Sequence, residues 1–213
     1  MAIRAYGQYC GFSRALELIG ERWAMLILRD LFVEPKRFSD LQRGLPGIPS
    51  NILTARLKEL EENGLVRRHA QPRPGGGVAY ELTETGRELE PAVIELGRWG
   101  AKRLGELRPD EVVTEDSMVM ALRTTFRPEA AGKAKARFEL RLGEIVIHAV
   151  IRNGGVSVGK GAIDNPDLVI EAGPGIRALM AQEISPDEAL KSKTVRIKGD
   201  RALFPLFARV FRI

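Results

Sequence analysis

Apolar residues recur at steps of three and four across residues 12–32. Leu16, Ile19, Trp23, Leu26, Ile27 and Leu31 therefore share one face of a helix. Gly20 interrupts the pattern and predicts a break within it. A short second helix is expected around Ser39, Asp40, Leu41 and Gln42, with Ser39 as its cap. Pro46, Gly47 and Pro49 mark a turn. A third helix then runs from Ser50, its expected cap, to about residue 63, where Gly64 stops it. Leu53, Leu57 and Leu60 form its buried face, and Asn51, Thr54, Arg56 and Lys58 lie on the polar side. Two helices joined by a tight turn, the second with a polar outer face, make a helix-turn-helix.

The pattern then changes to strands. Residues 65–70 and 78–82 read as a hairpin around the Pro- and Gly-rich stretch 72–77, the wing of a winged helix-turn-helix. Thr83 caps a further helix, and residues 86–107 continue as a long amphipathic helix bearing Leu89, Val93, Leu96, Trp99, Gly100 and Leu104. Pro91 is expected to separate the two.

Beyond Arg108 and Pro109 the chain is read as a linker over residues 108–115 and a second domain over 116–213, the first domain being 1–107. The second domain opens on a helix bearing Met118, Ala121, Leu122 and Thr125. Residues 136–142 alternate, with Phe138, Leu140 and Leu142 on one side and Arg137, Glu139 and Arg141 on the other. Gly143 and Glu144 form a tight turn to a partner strand, and Asn153, Gly154 and Gly155 a second turn. Further strands are expected at 167–171 and 194–198, and a final apolar helix at 200–211. The fold class is multi-domain: a mainly-α winged helix-turn-helix followed by an α+β domain.

The chain has 213 residues, with 44% hydrophobic and 29% charged, a composition that excludes a mostly disordered chain. No window approaches ~18 uninterrupted apolar residues, so no transmembrane helix is expected. The first residues lack the apolar run of a secretory signal. One cysteine, Cys10, cannot form an intramolecular disulfide. A soluble cytoplasmic protein is expected. The net charge is +5. Residues 36–73 carry eight bases against four acids, so most of the excess lies on the helix-turn-helix and wing. Such a balance permits a nucleic-acid partner. Asn51, Thr54 and Arg56 are candidates to meet base edges in a major groove, and Ser50 and Lys58 are further DNA-binding candidates on the same helix. Lys36, Arg37, Arg67, Arg68 and Arg73 are candidates to neutralise phosphates.

Several runs carry a family resemblance: Cys10-Gly11-Phe12, Leu18-Ile19-Gly20-Glu21-Arg22-Trp23, Leu26 to Leu31, Arg37-Phe38-Ser39-Asp40-Leu41, Gly47-Ile48-Pro49 onward to Leu65-Val66, and Tyr80-Glu81-Leu82-Thr83. In this order the chain resembles HxlR-type, MarR-like transcriptional regulators over about residues 8–105. The resemblance implies a homodimer on double-stranded DNA, paired through its N-terminal helix and the helix around Trp99. Cys10 stands where many such regulators keep an oxidant-sensing cysteine, although Gly11 follows it where proline is usual. A buried, inert Cys10 is the alternative reading.

Asn165-Pro166-Asp167-Leu168-Val169-Ile170, Pro186-Asp187-Glu188-Ala189-Leu190 and Val195-Arg196-Ile197-Lys198-Gly199-Asp200 give the second half a resemblance to the sterol carrier protein fold. That resemblance implies a site for an apolar small-molecule effector. Phe126, Phe138, Leu140, Ile147, Ile176, Met180, Ile197, Phe204 and Phe207 are its candidate lining, against the plainer reading that they are core. The two histidines, His69 and His148, fall in different halves, no spacing matches a zinc site, and no glycine run ends as a phosphate loop does. No enzyme activity, metal, cofactor or membrane partner is expected. The alternatives are a lipid-binding or carrier protein that uses the helix-turn-helix for assembly, and a thiol-based redox regulator acting through Cys10.

Overall fold

The computed structural model describes residues 5–70 and 77–213. The chain separates into two compact units, Met1–Val93 and Ile94–Ile213.

In the N-terminal unit, α1 (Gly11–Ile19) and α2 (Ala24–Val33) are separate helices. The break falls at Gly20, whose N–H reaches Leu16 O at 2.8 Å and where a Cβ would lie 2.4 Å from that oxygen. A two-residue strand, β1 (Lys36–Arg37), leads into α3 (Phe38–Gly44) and then α4 (Ser50–Glu62). Neither expected serine is a cap. Arg37 and Pro49 hold the cap positions, so α3 starts at Phe38 and α4 at Ser50 itself, each earlier than a serine cap would place it. At α3 the Asp40 carboxylate accepts the Arg37 N–H at 3.3 Å, so the serine hydroxyl is not needed there. Strands β2 (Val66–Ala70) and β3 (Val78–Leu82) form the expected hairpin, and β1 adds to it in the antiparallel order β1-β3-β2. Ile27, Leu28, Leu41, Leu53, Leu57 and Leu60 fill the core between helices and sheet.

Helix α4, the hairpin and the next helix meet at Leu65. Its N–H closes α4 by donating to Leu60 O at 2.9 Å, with Gly64 at φ +70° making the turn. Its carbonyl accepts the Thr83 N–H at 3.0 Å. Thr83 then caps α5 (Glu84–Arg87), its hydroxyl accepting from Gly86 N at 3.0 Å. Gly86 packs so close that a Cβ would fall 2.1 Å from Leu65 O.

Helix α6 (Glu90–Ala101) starts with Pro91 in its first turn and ends well short of residue 107. Beyond it Arg103 N–H and Leu104 N–H turn back to Gly100 O and Ala101 O, and the Arg103 guanidinium takes Trp99 O at 2.7 Å. The division between units also falls within α6 rather than at 108–115. The later half of α6 binds into the C-terminal unit: Arg98 Nε donates to Thr124 O at 3.0 Å, and a Cβ at Gly97 would meet Thr124 Cγ2 at 2.7 Å. The expected linker instead forms a local turn, in which Arg108 pairs with Glu111 at 2.7 Å.

The C-terminal unit continues with α7 (Glu115–Thr125), capped reciprocally by Thr114 and Ser117, and the short α8 (Pro128–Ala131). Strands β4 (Ala136–Leu142), β5 (Ile145–Arg152) and β6 (Gly155–Lys160) form a meander with two-residue turns. Asn153 and Gly154 both take positive φ there, as a tight turn between twisted strands requires. Strand β7 (Leu168–Ala172) returns parallel to β4, α9 (Ile176–Met180) and α10 (Pro186–Lys191) follow, and β8 (Val195–Gly199) completes the sheet β6-β5-β4-β7-β8. A 3-10 turn, Arg201–Leu203, runs into α11 (Phe204–Val210). The second unit is thus an α+β layer. Glu139, on the face of β4 opposite Phe138 and Leu140, is 2% exposed. It accepts from Arg141 Nε at 2.8 Å and from Ile163 N–H at 3.1 Å, so the segment after β6 is drawn over that face.

The Gly86 contact is directly testable. Gly86→Ala should destabilise the chain by about 1–3 kcal/mol, the range for forced overpacking. Urea denaturation monitored by helix content checks it, and an unchanged midpoint would mean that α5 can move off Leu65.

Candidate nucleic-acid interface

The turn between α3 and α4 is short because Gly47 takes φ +82° and Leu45 and Ile48 are buried beneath it. Leu53, Leu57 and Leu60 then fix the rotation of α4 about its axis by facing the core. That rotation leaves Asn51, Thr54 and Lys58 exposed at steps of three and four, one ridge along the helix, with Ser50 exposed at its start. The Thr54 hydroxyl donates to Ser50 O at 2.8 Å, and Lys58 lies 3.6 Å from Glu62 one turn on. Arg67 and Arg68 are exposed on β2.

Two of the expected contacts are placed elsewhere. Lys36, expected on a phosphate, is 4% exposed: β1 pairs it with Tyr80, and its ammonium meets Glu34 at 3.1 Å. Arg56, expected at a base edge, has a side chain only 16% exposed. It lies on the flank of α4 rather than on its ridge, where Glu59 and Glu21 (3.5 Å) hold it. Arg37 is half-buried, its guanidinium 4.0 Å from where a Gly77 Cβ would stand. Arg73 lies outside the described residues. Arg43, at the end of α3, had no assigned role from the sequence. Its side chain is 77% exposed, the signal being a base in the last turn of the first helix.

The exposed bases are compensated inside the protein. Arg67 Nε is 2.7 Å from Glu81, Arg68 Nε 2.9 Å from Glu61, and Arg43 3.5 Å from Asp40. Glu61 holds Arg68 still more firmly in its charged form. Exposed pairs of this kind are worth about 0–1 kcal/mol each, so an arriving phosphate can displace the carboxylate.

Of the nine apolar residues expected to line a pocket, all but Ile197 are buried packing residues. Phe138 sits 5.4 Å from Phe207 and 6.3 Å from Phe211, Phe207 5.0 Å from Phe211, and Phe126 5.7 Å from Phe211, ring centre to ring centre. Rings at these distances fill the space between sheet and helices. Leu140, Ile147, Ile176, Met180 and Phe204 are buried in the same unit. Half-buried Ile197 borders a surface depression of about 410 Å³. Cys10 is exposed, not buried, at the position preceding α1. The backbone amides of Ser13 and Phe12, then the Ser13 hydroxyl, hold its thiol below the ordinary value. No group of three or more His, Cys, Asp or Glu among the described residues could hold a metal, and no helix there is long and apolar enough to cross a membrane.

The family described as HxlR-like helix-turn-helix matches residues 18–108. The HTH-type transcriptional regulator sll1512 of Synechocystis is 35% identical over 95 residues, covering 45% of this chain and 70% of that protein. The HTH-type transcriptional regulator Mb3122 of Mycobacterium bovis is 46% identical over 92 residues, covering 43% of this chain and 58% of that protein. Among solved structures, the reduced form of the regulator YodB from B. subtilis is 36% identical, with a TM-score of 0.40, over 45% of this chain and 94% of that one.

The lowered thiol of Cys10 predicts faster alkylation near neutral pH. Its rate with iodoacetamide should rise to half-maximum at a lower pH than that of N-acetylcysteine, because the thiolate forms earlier. Coincident profiles would remove the amides' influence.

Proposed function

The chain belongs, through residues 18–108, to the HxlR-like helix-turn-helix family, and from that premise we propose that it is a sequence-specific DNA-binding transcriptional regulator. The observation that carries this reading is the ridge of Asn51, Thr54 and Lys58 on α4, with Arg67 and Arg68 exposed on the wing strand. In the reading α4 enters the major groove, where an Asn side chain can satisfy both edge groups of adenine. Arg43, Arg67 and Arg68, with Arg37 and Arg73, meet phosphates and supply affinity without sequence information. The names of the two relatives, both HTH-type transcriptional regulators, support it.

The regulator acts as a homodimer in this reading. Tyr6, Tyr9 and Phe12 at and before α1, and Leu96 and Trp99 on α6, are large apolar side chains left in water. A second copy would cover them, and two α4 helices would then reach successive major grooves roughly 34 Å apart. Repression is the simplest outcome of a dimer that occludes the DNA it covers. The C-terminal unit is read as sterol-carrier-like from its order of helix, meander, crossing strand, helices, strand and helix. An apolar effector in its interior would have to part the Phe126, Phe138, Phe207 and Phe211 rings, and that parting is the step by which binding could reach the DNA-binding half. No catalytic step is assigned to the chain. A second, compatible reading is thiol control through Cys10, favoured by its exposure and its neighbouring amides.

Selection from a random duplex library, followed by mobility-shift titration with and without random competitor, tests the central claim. Enrichment of an inverted repeat that survives competition supports it, and no enrichment refutes it. Asn51→Ala should cost about 1–3 kcal/mol of discrimination between the selected site and random DNA. Arg68→Ala should weaken both equally and lower the salt slope by about one. Arg56→Ala should lower the unfolding midpoint and leave discrimination unchanged, since its partners are Glu21 and Glu59. Trp99→Asp should shift the sedimentation coefficient from dimer to monomer.

A further inference from the structure

The five-stranded sheet has two edges, β6 and β8, and they are finished differently. At β6, Gly161 N–H donates to Val146 O at 2.7 Å. Bonded pairs alternate along an antiparallel ladder, so with His148 opposite Gly159 the backbone groups of Val156, Val158 and Lys160 face outward. Helix α7 closes this edge with its side chains. Arg123 donates to Val158 O at 3.4 Å, and Asp116 holds the Lys160 ammonium at 2.7 Å.

Edge β8 is covered at its start, where Val195 is 1% exposed, and is accessible beyond it. Asp200 N–H donates to Asp167 O at 2.8 Å. With Val169 opposite Lys198 and Glu171 opposite Arg196, those pairs carry the ladder bonds to β7. The N–H and C=O groups of Val195, Ile197 and Gly199 therefore point away from β7, and none has a further bond among the described residues. With Val195 buried, the accessible part of the edge is Ile197 and Gly199.

The depression of about 410 Å³ lies beside this edge. It is bordered by Val195, Arg196 and Ile197 together, and consecutive strand residues face opposite sides. The hollow therefore lies between this stretch of β8 and α10. Leu190 of α10 joins Val195 and Ile197 in an apolar floor. Lys191, Lys193, Arg196 and Arg201 supply four positive charges against the single carboxylate of Asp187. Arg196 stands opposite Glu171 in the ladder and Lys191 acts on the Glu188 carboxylate, but none of the four makes a direct ion pair among the described residues, unlike the bases of α4 and β2.

We propose that the open edge of β8 docks an extended, acidic peptide segment of a partner protein. The segment pairs with the backbone of Ile197 and Gly199 as an added strand, lays alternate apolar side chains on Leu190 and Ile197, and sets its carboxylates against the four cations. A second copy of this chain is the wrong occupant, because β8 against β8 would bring two rows of Arg196 and Lys198 together. A nucleic acid would meet the cations but leave the strand amides and the apolar floor unmatched. The edge lies wholly in the C-terminal unit and does not depend on the DNA-binding reading.

The test is titration of the full chain, by calorimetry, with a blocked synthetic peptide of alternating Glu and Val. Two controls accompany it: a Lys and Val alternation, and the acidic peptide N-methylated at every second amide. Saturable one-to-one binding is expected for the acidic peptide alone. The doubly substituted chain Arg196→Gln, Arg201→Gln should bind it about tenfold more weakly with an unchanged unfolding midpoint. Equal binding of the N-methylated peptide would reduce the site to charge attraction and overturn the added strand. Equal binding of the Lys peptide, or undiminished binding by the substituted chain, would place the contact elsewhere. No saturable binding would leave the basic edge as a guard against self-association only.

Discussion

The N-terminal unit turns on the backbone of one buried residue, Leu65. Its amide ends α4 and its carbonyl receives the chain returning from the hairpin. The absence of a Cβ at Gly86 lets α5 settle against that same carbonyl. A helix, a strand pair and a following helix are thereby referred to a single peptide plane pair, and none can tilt without disturbing the others. A residue that is 3% exposed has no water to replace these bonds, so breaking one leaves a buried polar group without a partner. The polar ridge of α4 and the arginines of β2 keep their spacing for this reason. Long side chains are mobile, but the backbones that carry them are fixed to one another.

Much of this arrangement can be read from local pattern. Leu53, Leu57 and Leu60 repeat at helical spacing and so give both the helix and its rotation. Asn153-Gly154 specifies a turn by conformational tolerance alone. What local pattern does not carry is the long-range partner. Arg56 and Lys58 are both bases on the polar side of α4, but they stand about 200° apart around the axis. The partner that fixes Arg56, Glu21 from the α1–α2 connection, is remote in sequence, and Lys58 stays in water. Lys36 and Arg37 are too few residues to show a strand period, so the third strand of the small sheet, and with it the burial of Lys36, has no signal. Ser39 and Ser50 have the chemistry of caps, but the cap position is decided by where the preceding chain leaves extended geometry, at Arg37 and Pro49.

The C-terminal unit shows the same limit in its core. Alternation along β4 correctly turns Phe138 and Leu140 inward, but periodicity cannot tell whether facing rings leave a space or fill it. Here Phe211, one residue past α11, supplies the ring that brings Phe126, Phe138 and Phe207 into mutual contact. Glu139 is the complementary case. A carboxylate on the charged face of β4 is buried where Arg141 and the Ile163 amide compensate it, and a charge so placed is retained only with such partners.

The pairing of Arg67 with Glu81 and Arg68 with Glu61 has a kinetic side. A face whose cations already have anionic neighbours gains only the difference between two pairings when it touches a phosphate, so it grips an arbitrary stretch of duplex weakly and lets go soon. Nonspecific binding rests almost entirely on that electrostatic gain. In the proposed reading, where one site is sorted from about a million or more competitors, short dwell times on the wrong ones mean that less of the protein is held in idle complexes. The glutamates beside the arginines would then act as a brake on lingering, shortening the search through the very contacts they weaken.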